Sequence, residues 1–336
     1  MSEPAQAPER PPPTPTRKDY FAVLAMAVLF LLSIGLAMAV APTYDAQGLY
    51  AFPEEERESV ANPLIYLGIV VAFTLVILLI AKLKLKRLIQ YIILGAVFMT
   101  IFITTFPLFV EIAPGVNPDG LTALSIALAA VLVALLYFYP EWYVIDTVGV
   151  VVAGGSAAIF GISFGLLPSL VLLTGFAIYD AIAVYRTKHM LDLADSVLEL
   201  RLPIMFVVPK ERGYSFLKEE KRIQDRVEDP EGRDAMFMGL GDAVIPAVLV
   251  VSALTFLGTY TASSSSVLGL APPLAVALAT LLGSLVGYFA LMRFVLRGNP
   301  QAGLPLLNGG ALVGFFASLL PLYGLAPLLA PLGLGG

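Results

Sequence analysis

The chain has 336 residues, of which 58% are hydrophobic and only 13% charged, with a net charge of −5. Soluble domains run nearer ~45–50% and ~25%, so this composition excludes an ordinary soluble domain, and the acidic balance offers no footprint for nucleic acid. The absence of cysteine excludes disulfides, thiolate metal sites and a cysteine nucleophile, and the single histidine, His189, cannot build a histidine-cluster metal site.

Residues 1–19 carry the run PERPPPTPTR and read as a disordered, Pro-rich tail. Apolar runs follow at about 20–41, 63–81, 90–110, 121–139, 144–162, 166–187, 237–259, 272–292 and 304–325. Each comes near the ~20 helical residues that cross about 30 Å of hydrocarbon. The predicted fold class is therefore an all-α polytopic membrane protein with nine transmembrane helices. The first run is longer than a signal-peptide core of about 7–15 residues, and Pro42 directly follows Ala39-Val40-Ala41, so it reads as a retained helix. Only Ser163–Pro168 divides the fifth run from the sixth, which makes eight helices the alternative.

Basic residues settle the orientation expected. Arg10, Arg17 and Lys18 precede the first run; Lys82, Lys84, Lys86 and Arg87 join the second and third; ten Lys/Arg lie from Arg186 to Arg233; Arg293 and Arg297 join the last two. Nine spans with a cytoplasmic N-terminus put all of these inside, as the positive-inside tendency requires. Arg57 alone is left for the outer face, beside Asp45, Glu54, Glu55, Glu56, Glu58, Glu111 and Asp119. Eight spans would break the pattern. The C-terminus is then extracytoplasmic, and the expected organisation is a tail over 1–19, six helices over 20–187, a cytoplasmic loop over 188–236 and three helices over 237–336.

Two acids fall inside apolar runs, Asp180 in the sixth and Asp242 in the seventh. A charge at bilayer depth costs about 2.5–3.5 kcal/mol on insertion scales, so such residues face a protein or water-filled interior. Asp180 lies six residues before Arg186, roughly 9 Å below the cytoplasmic boundary. Asp242 lies eight residues after Asp234, roughly 12 Å deep, or less if its helix begins later. The helices run in opposite directions, yet the acids share a depth and a side. Two carboxyls sharing one proton can hydrolyse a peptide: the ionised one takes a proton from the attacking water and the protonated one donates to the carbonyl oxygen. Like charges about 3 Å apart do not both ionise easily, so such a pair titrates as a unit. On spacing and depth alone, two other arrangements stay open: separate acids each satisfied by a hydroxyl or water, and a cation-coupling site. Asp146 is a third acid near the start of the fifth helix, expected to cap it or meet the interface, where Glu141 and Trp142 also belong. His189 reads as a juxtamembrane surface residue.

Within 188–236, Met190–Leu200 has helical spacing of apolar residues, and Leu202–Pro209 (LPIMFVVP) reads as a short strand closed by prolines. Residues 210–234 are charged and expected to be mobile. An exposed strand edge beside the acids could hold a peptide extended by β-augmentation; packing under the loop is the alternative.

The flanks of the acids add a specific pattern. Ala177-Ile178-Tyr179-Asp180 precedes Gly239-Leu240-Gly241-Asp242, and Leu304-Pro305-Leu306-Leu307 opens the last run. Tyr-Asp, then Gly-x-Gly-Asp, then a Pro-Ala-Leu-like element on one side of the membrane resembles the presenilin and signal peptide peptidase family of intramembrane aspartyl proteases, and most of all its microbial, archaeal-type members. The resemblance covers nearly the whole apolar chain. It implies that Asp180 and Asp242 match the catalytic aspartates. Tyr179 matches the preceding aromatic, Gly239 and Gly241 the glycines flanking Leu240, and Pro305, Leu306 and Leu307 the Pro-Ala-Leu element. Leu306 stands where the family usually has Ala, which puts the close approach expected of a small residue in question.

By their own chemistry, Gly239 and Gly241 leave space beside Leu240 for a backbone or substrate, or for close helix packing. Asp242 sits where a helix dipole favours an anion. Pro305 suits a helix start, where its missing N–H costs little. Tyr179 can cover the site or pack at the interface. The resulting expectation is an intramembrane aspartyl protease that cuts single-span membrane proteins or signal-peptide remnants, with no cofactor, no metal and no nucleic acid. It would lie in the cell membrane of a prokaryote, with homo-oligomerisation left open. A cation-coupled secondary transporter using the same two aspartates is the alternative; it predicts inverted repeats, and no convincing repeat is visible.

Overall fold

Helix α1 (Arg17–Ala46) starts where the Asp19 carboxylate accepts from both the N–H and the hydroxyl of Thr16, at 2.9 and 2.7 Å. Those bonds occupy groups that a helix start otherwise leaves orphaned, and so carry the helix to Arg17, just inside the expected tail. The protein is described here by a computed structural model covering residues 15–83, 85–187, 205–211, 213–216, 234–297 and 301–334. The helical spacing at Met190–Leu200 lies outside the described residues, as do His189 and most of the tail and of 210–234.

After α1 come α2 (Ala61–Lys82), α3 (Lys86–Ile112), α4 (Pro118–Phe138), α5 (Trp142–Ser163) and α6 (Leu166–Ile182). Strands β1 (Met205–Pro209) and β2 (Ala235–Gly239) follow, then α7 (Leu240–Phe256), α8 (Pro272–Val295), α9 (Gly303–Tyr323) and a final short turn, α10 (Ala326–Leu329). The fifth and sixth runs are separate helices, broken at Phe164–Gly165. Among the described residues, eight helices are long and apolar enough to cross a membrane; the apolar stretch of α2, Ala61–Ile77, is shorter. The protein is thus a mainly helical, polytopic integral membrane protein.

α7 is the axis of the bundle. Every residue from Ile245 to Ala253 is buried, between α1, α5, α6, α8 and α9. α3 and α4 lie outside, with apolar side chains such as Met99, Leu124 and Val131 exposed, which is the surface a lipid tail covers. α8 and α9 meet backbone to backbone. Side chains at Gly283 or Gly310 would run into the other helix's carbonyl, and one at Gly287 would strike the Leu306 carbonyl. Small residues are the means by which membrane helices approach this closely.

β2 is not expected from sequence, which divides its residues between the loop ending at 236 and the seventh helix beginning at 237. Residues 235–239 are strand, antiparallel to β1, with Met205 opposite Gly239 and Val207 opposite Phe237. The strand expected at Leu202–Pro209 is present over Met205–Pro209; its first residues lie outside the described ones. β1 rests on α5 and α1. At the base of the pair, Lys210 bonds Asp19 at 2.5 Å and Lys18 bonds Glu211 at 2.6 Å, so the strands sit at the end of the bundle where α1 begins. At the opposite end, Arg57 is buried, donates to Ile162 O at 2.7 Å and Asp45 Oδ1 at 2.8 Å, and lies over the Tyr50 and Phe256 rings.

Candidate active site

Asp180 sits in the last turn of α6, 5% exposed, just before a π-helical segment at Ala183–Thr187. Its position follows from sequence: α6 is predominantly apolar and packs on α7 and α9, so the acid on that face is carried into the interior. Its Oδ2 accepts from Leu304 N–H at 3.0 Å, and the Gly303 N–H interacts with the same carboxyl. Those donors are the orphan amides of the first turn of α9, which carries a partial positive charge. Pro305, two residues into that turn, has no N–H to lose.

Asp242 lies in the first turn of α7, whose N-cap is Gly239, so β2 runs straight into the helix that carries the acid. The depth inferred from a helix starting near Asp234 is therefore replaced by a strand followed by one helical turn. The Asp242 carboxyl faces Gly303: a Cβ built there would stand 3.0, 3.1 and 3.2 Å from its Oδ2, Oδ1 and Cγ. The two carboxyls are also within electrostatic range of each other. Both acids therefore converge on Gly303–Leu304 from opposite helices. Gly303 was not singled out in the sequence; a glycine immediately before Leu-Pro was its one signal.

The other expected residues divide. A Cβ at Gly239 would meet only Asp242 Oδ2, at 3.7 Å, and one at Gly241 would meet nothing within 4 Å, so these glycines border open space beside the acid rather than a packed neighbour. Leu240 is buried. Leu307 is fully buried in the core, and Tyr179 packs at its edge. The close approach expected of a small residue at 306 comes from the partner helix instead: Gly287 of α8 meets the Leu306 carbonyl, so the side chain at 306 does not set it. Asn308, fully buried one turn on, donates from Nδ2 to Leu173 O at 2.9 Å and ties α9 to α6. The Tyr185 hydroxyl donates to Gln301 Oε1 at 2.5 Å, bridging the π-helical segment after α6 to the lead-in of α9.

Asp146 neither caps α5 nor meets an interface. It is 5% exposed, and its Oδ1 accepts from Val207 N–H of β1 at 2.7 Å. Glu141, at the N-cap position of α5 and also buried, accepts from the Ser215 hydroxyl at 2.5 Å and Phe216 N–H at 3.0 Å. Both acids of α5 hold backbone that follows the sixth helix.

The family described as signal-peptide peptidase, presenilin aspartyl protease matches residues 26–322. Two solved structures of a presenilin family intramembrane aspartate protease are similar. The one in space group C222 is 39% identical, with 88% of this chain and 98% of that one covered and a TM-score of 0.63. The one in space group P2 is 37% identical, with 89% and 98% covered and a TM-score of 0.62. No curated protein matches.

Proposed function

Because the chain belongs to the signal-peptide peptidase and presenilin aspartyl protease family, it is an intramembrane aspartate protease, and we propose that Asp180 and Asp242 are its catalytic pair. The observation that carries this reading is the convergence of both carboxyls on Gly303–Leu304. A water held between them loses a proton to the ionised carboxyl as it attacks the scissile carbonyl, and the protonated carboxyl donates to the carbonyl oxygen. The Gly303 and Leu304 amides hold Asp180 in place. A low-dielectric, preorganised surrounding makes both transfers more effective than in water.

The substrate is a single-span membrane protein or a signal-peptide remnant. Its helix has its backbone hydrogen bonds closed, so a segment must unwind before a carbonyl can be attacked. β2 supports a way to hold that segment. Among the described residues it pairs with β1 on one edge only and runs within three residues of Asp242, at most about 10 Å of chain. An extended peptide added to its other edge would reach the carboxyls. The bundle would span a prokaryotic cell membrane nine times, α2 included, with the N-terminus and the carboxyls on the cytoplasmic side. The family lends no support to the cation-coupled transporter alternative.

Reconstitution of the purified protein with a single-span reporter tests the pair. Wild type releases a fragment, and Asp180→Ala and Asp242→Ala each lower its rate by at least about 10³-fold, in line with the loss of an acid–base group. Retained cleavage in either variant, with the protein folded, removes that residue from the mechanism.

A further inference from the structure

A buried acid in a membrane helix needs a reason. The catalytic reading accounts for Asp180 and Asp242 and leaves Asp146 without one. We infer that Asp146 is a positioning residue: it fixes the register of β1, and through β1 the register of β2 and the helix start that carries Asp242. This rests on the proposal that Asp242 is catalytic and that substrate lies along β2.

The geometry discriminates against neighbouring strand registers. Val207 stands opposite Phe237 in the β pair. In an antiparallel pair, a residue turns both its N–H and its C=O either toward its partner strand or away from it. The Val207 N–H goes to Asp146 at 2.7 Å, so it faces away from β2, and the carboxyl takes a donor that the ladder leaves free. Sliding β1 by one residue would present Phe206 or Val208, whose N–H groups turn toward β2. Sliding it by two residues in one direction would present Pro209, which has no N–H.

The same face of α5 holds the next links. One turn beyond Asp146, Gly149 leaves room for the Phe206 ring and for Leu240; a Cβ there would stand 2.9 Å from Phe206 Cε1 and 3.2 Å from Leu240 Cδ2. Leu240 is two residues before Asp242. α5 thus touches the strand at Phe206 and Val207 and the helix start at Leu240, and its carboxyl selects which β1 residue sits there. An apolar side chain at 146 would fill the space and leave the Val207 N–H buried without an acceptor.

The experiment uses the full chain, reconstituted with a single-span reporter whose product ends are identified by mass. Asp146→Ala is expected to lower cleavage at the principal bond about tenfold, the size of one buried hydrogen bond lost, and to add products cut at neighbouring bonds. Asp146→Asn, whose amide oxygen still accepts, is expected to keep the wild-type ends. Val207→Pro removes the same hydrogen bond from the other side, and Pro is tolerated where a strand's N–H is not in the ladder. It is expected to reproduce the Asp146→Ala products. The double variant should be no more than about twofold worse than either single one, because both remove the same bond. A melting curve accompanies each variant, and if Asp146→Ala does not fold, Val207→Pro carries the test. Unchanged product ends in Asp146→Ala or Val207→Pro overturn the inference even if the rate drops, and so does full additivity in the double variant. Asp242→Ala distinguishes the premise: if it still cleaves, the catalytic reading falls, while shifted product ends in the Asp146 variants would still place register control at Asp146.

Discussion

Gly303 stands between the two carboxyls, its amide turned to Asp180 and its missing side chain to Asp242. A methyl group there would press on three atoms of the Asp242 carboxyl at 3.0–3.2 Å, tighter than ordinary van der Waals contact. Gly303→Ala is therefore expected to lower cleavage at least about tenfold. Stability should change little: Gly303 is the first residue of α9, so only part of the interior preference for alanine of about 0.5–1 kcal/mol applies, and the contact with Asp242 opposes it. Cleavage rates beside melting temperatures in detergent check this; wild-type turnover would mean that the Asp242 carboxyl is free to move away from α9. At this scale the two acids were legible because a carboxyl inside an apolar run is its own signal. Gly303 was not, because what makes it special is a contact with a residue 61 positions away. At Leu306 the close approach of the two helices is made by Gly287, on the neighbouring helix, which meets the Leu306 carbonyl.

Elements were legible where one period ran unbroken, and least so where two kinds met. The run 237–259 is apolar apart from Asp242, so hydropathy gives no cue that residues 235–239 pair with β1; a strand is defined by its partner. The break between α5 and α6 is the opposite case. It was suspected from glycine and proline and is held by Arg57, whose carbonyl accepts from Gly165 N–H at 2.8 Å. There the Glu58 carboxyl fills the space above Gly165, with its Oε2 buried and without a hydrogen bond among the described residues. Burial pushes Glu58 above the ordinary carboxylate range, against a smaller pull from the Arg57 charge. The folded state then holds this proton at pH values where the unfolded chain has released it. The stabilisation is fully present below the unfolded value of about 4.3 and is lost as pH rises through the higher folded value. Melting temperature is expected to fall across that window, and Glu58→Gln is expected to flatten the dependence. An equal slope in the variant assigns it to other groups.

At the scale of the molecule, the β pair, the first turn of α9 and the start of α1 occupy one end of the bundle, tied there by Lys210–Asp19 and Lys18–Glu211. Arg57 and the α5–α6 break occupy the other. The carboxyls thus sit at the β-pair end of the bundle, and the positive-inside tendency predicts that this end faces the cytoplasm. The chain has no cysteine, so single cysteines report topology cleanly. Asp119→Cys and Leu334→Cys, both at exposed positions, are expected to react with an impermeant thiol reagent from outside intact cells, and Arg297→Cys only after the membrane is opened. Labelling of Arg297→Cys in intact cells would invert the assignment.

The chain by itself determined that it is a membrane-spanning helical protein and that two acids needed an explanation. Those follow from the cost of putting charge and unpaired backbone into hydrocarbon, a cost each segment meets alone. Only the tertiary structure decided that both acids meet at Gly303, that β2 leads into Asp242 and that Asp146 holds β1 by one amide. Hydrogen bonds and close contacts of that kind join residues from different helices, and their geometry exists only once the helices have packed.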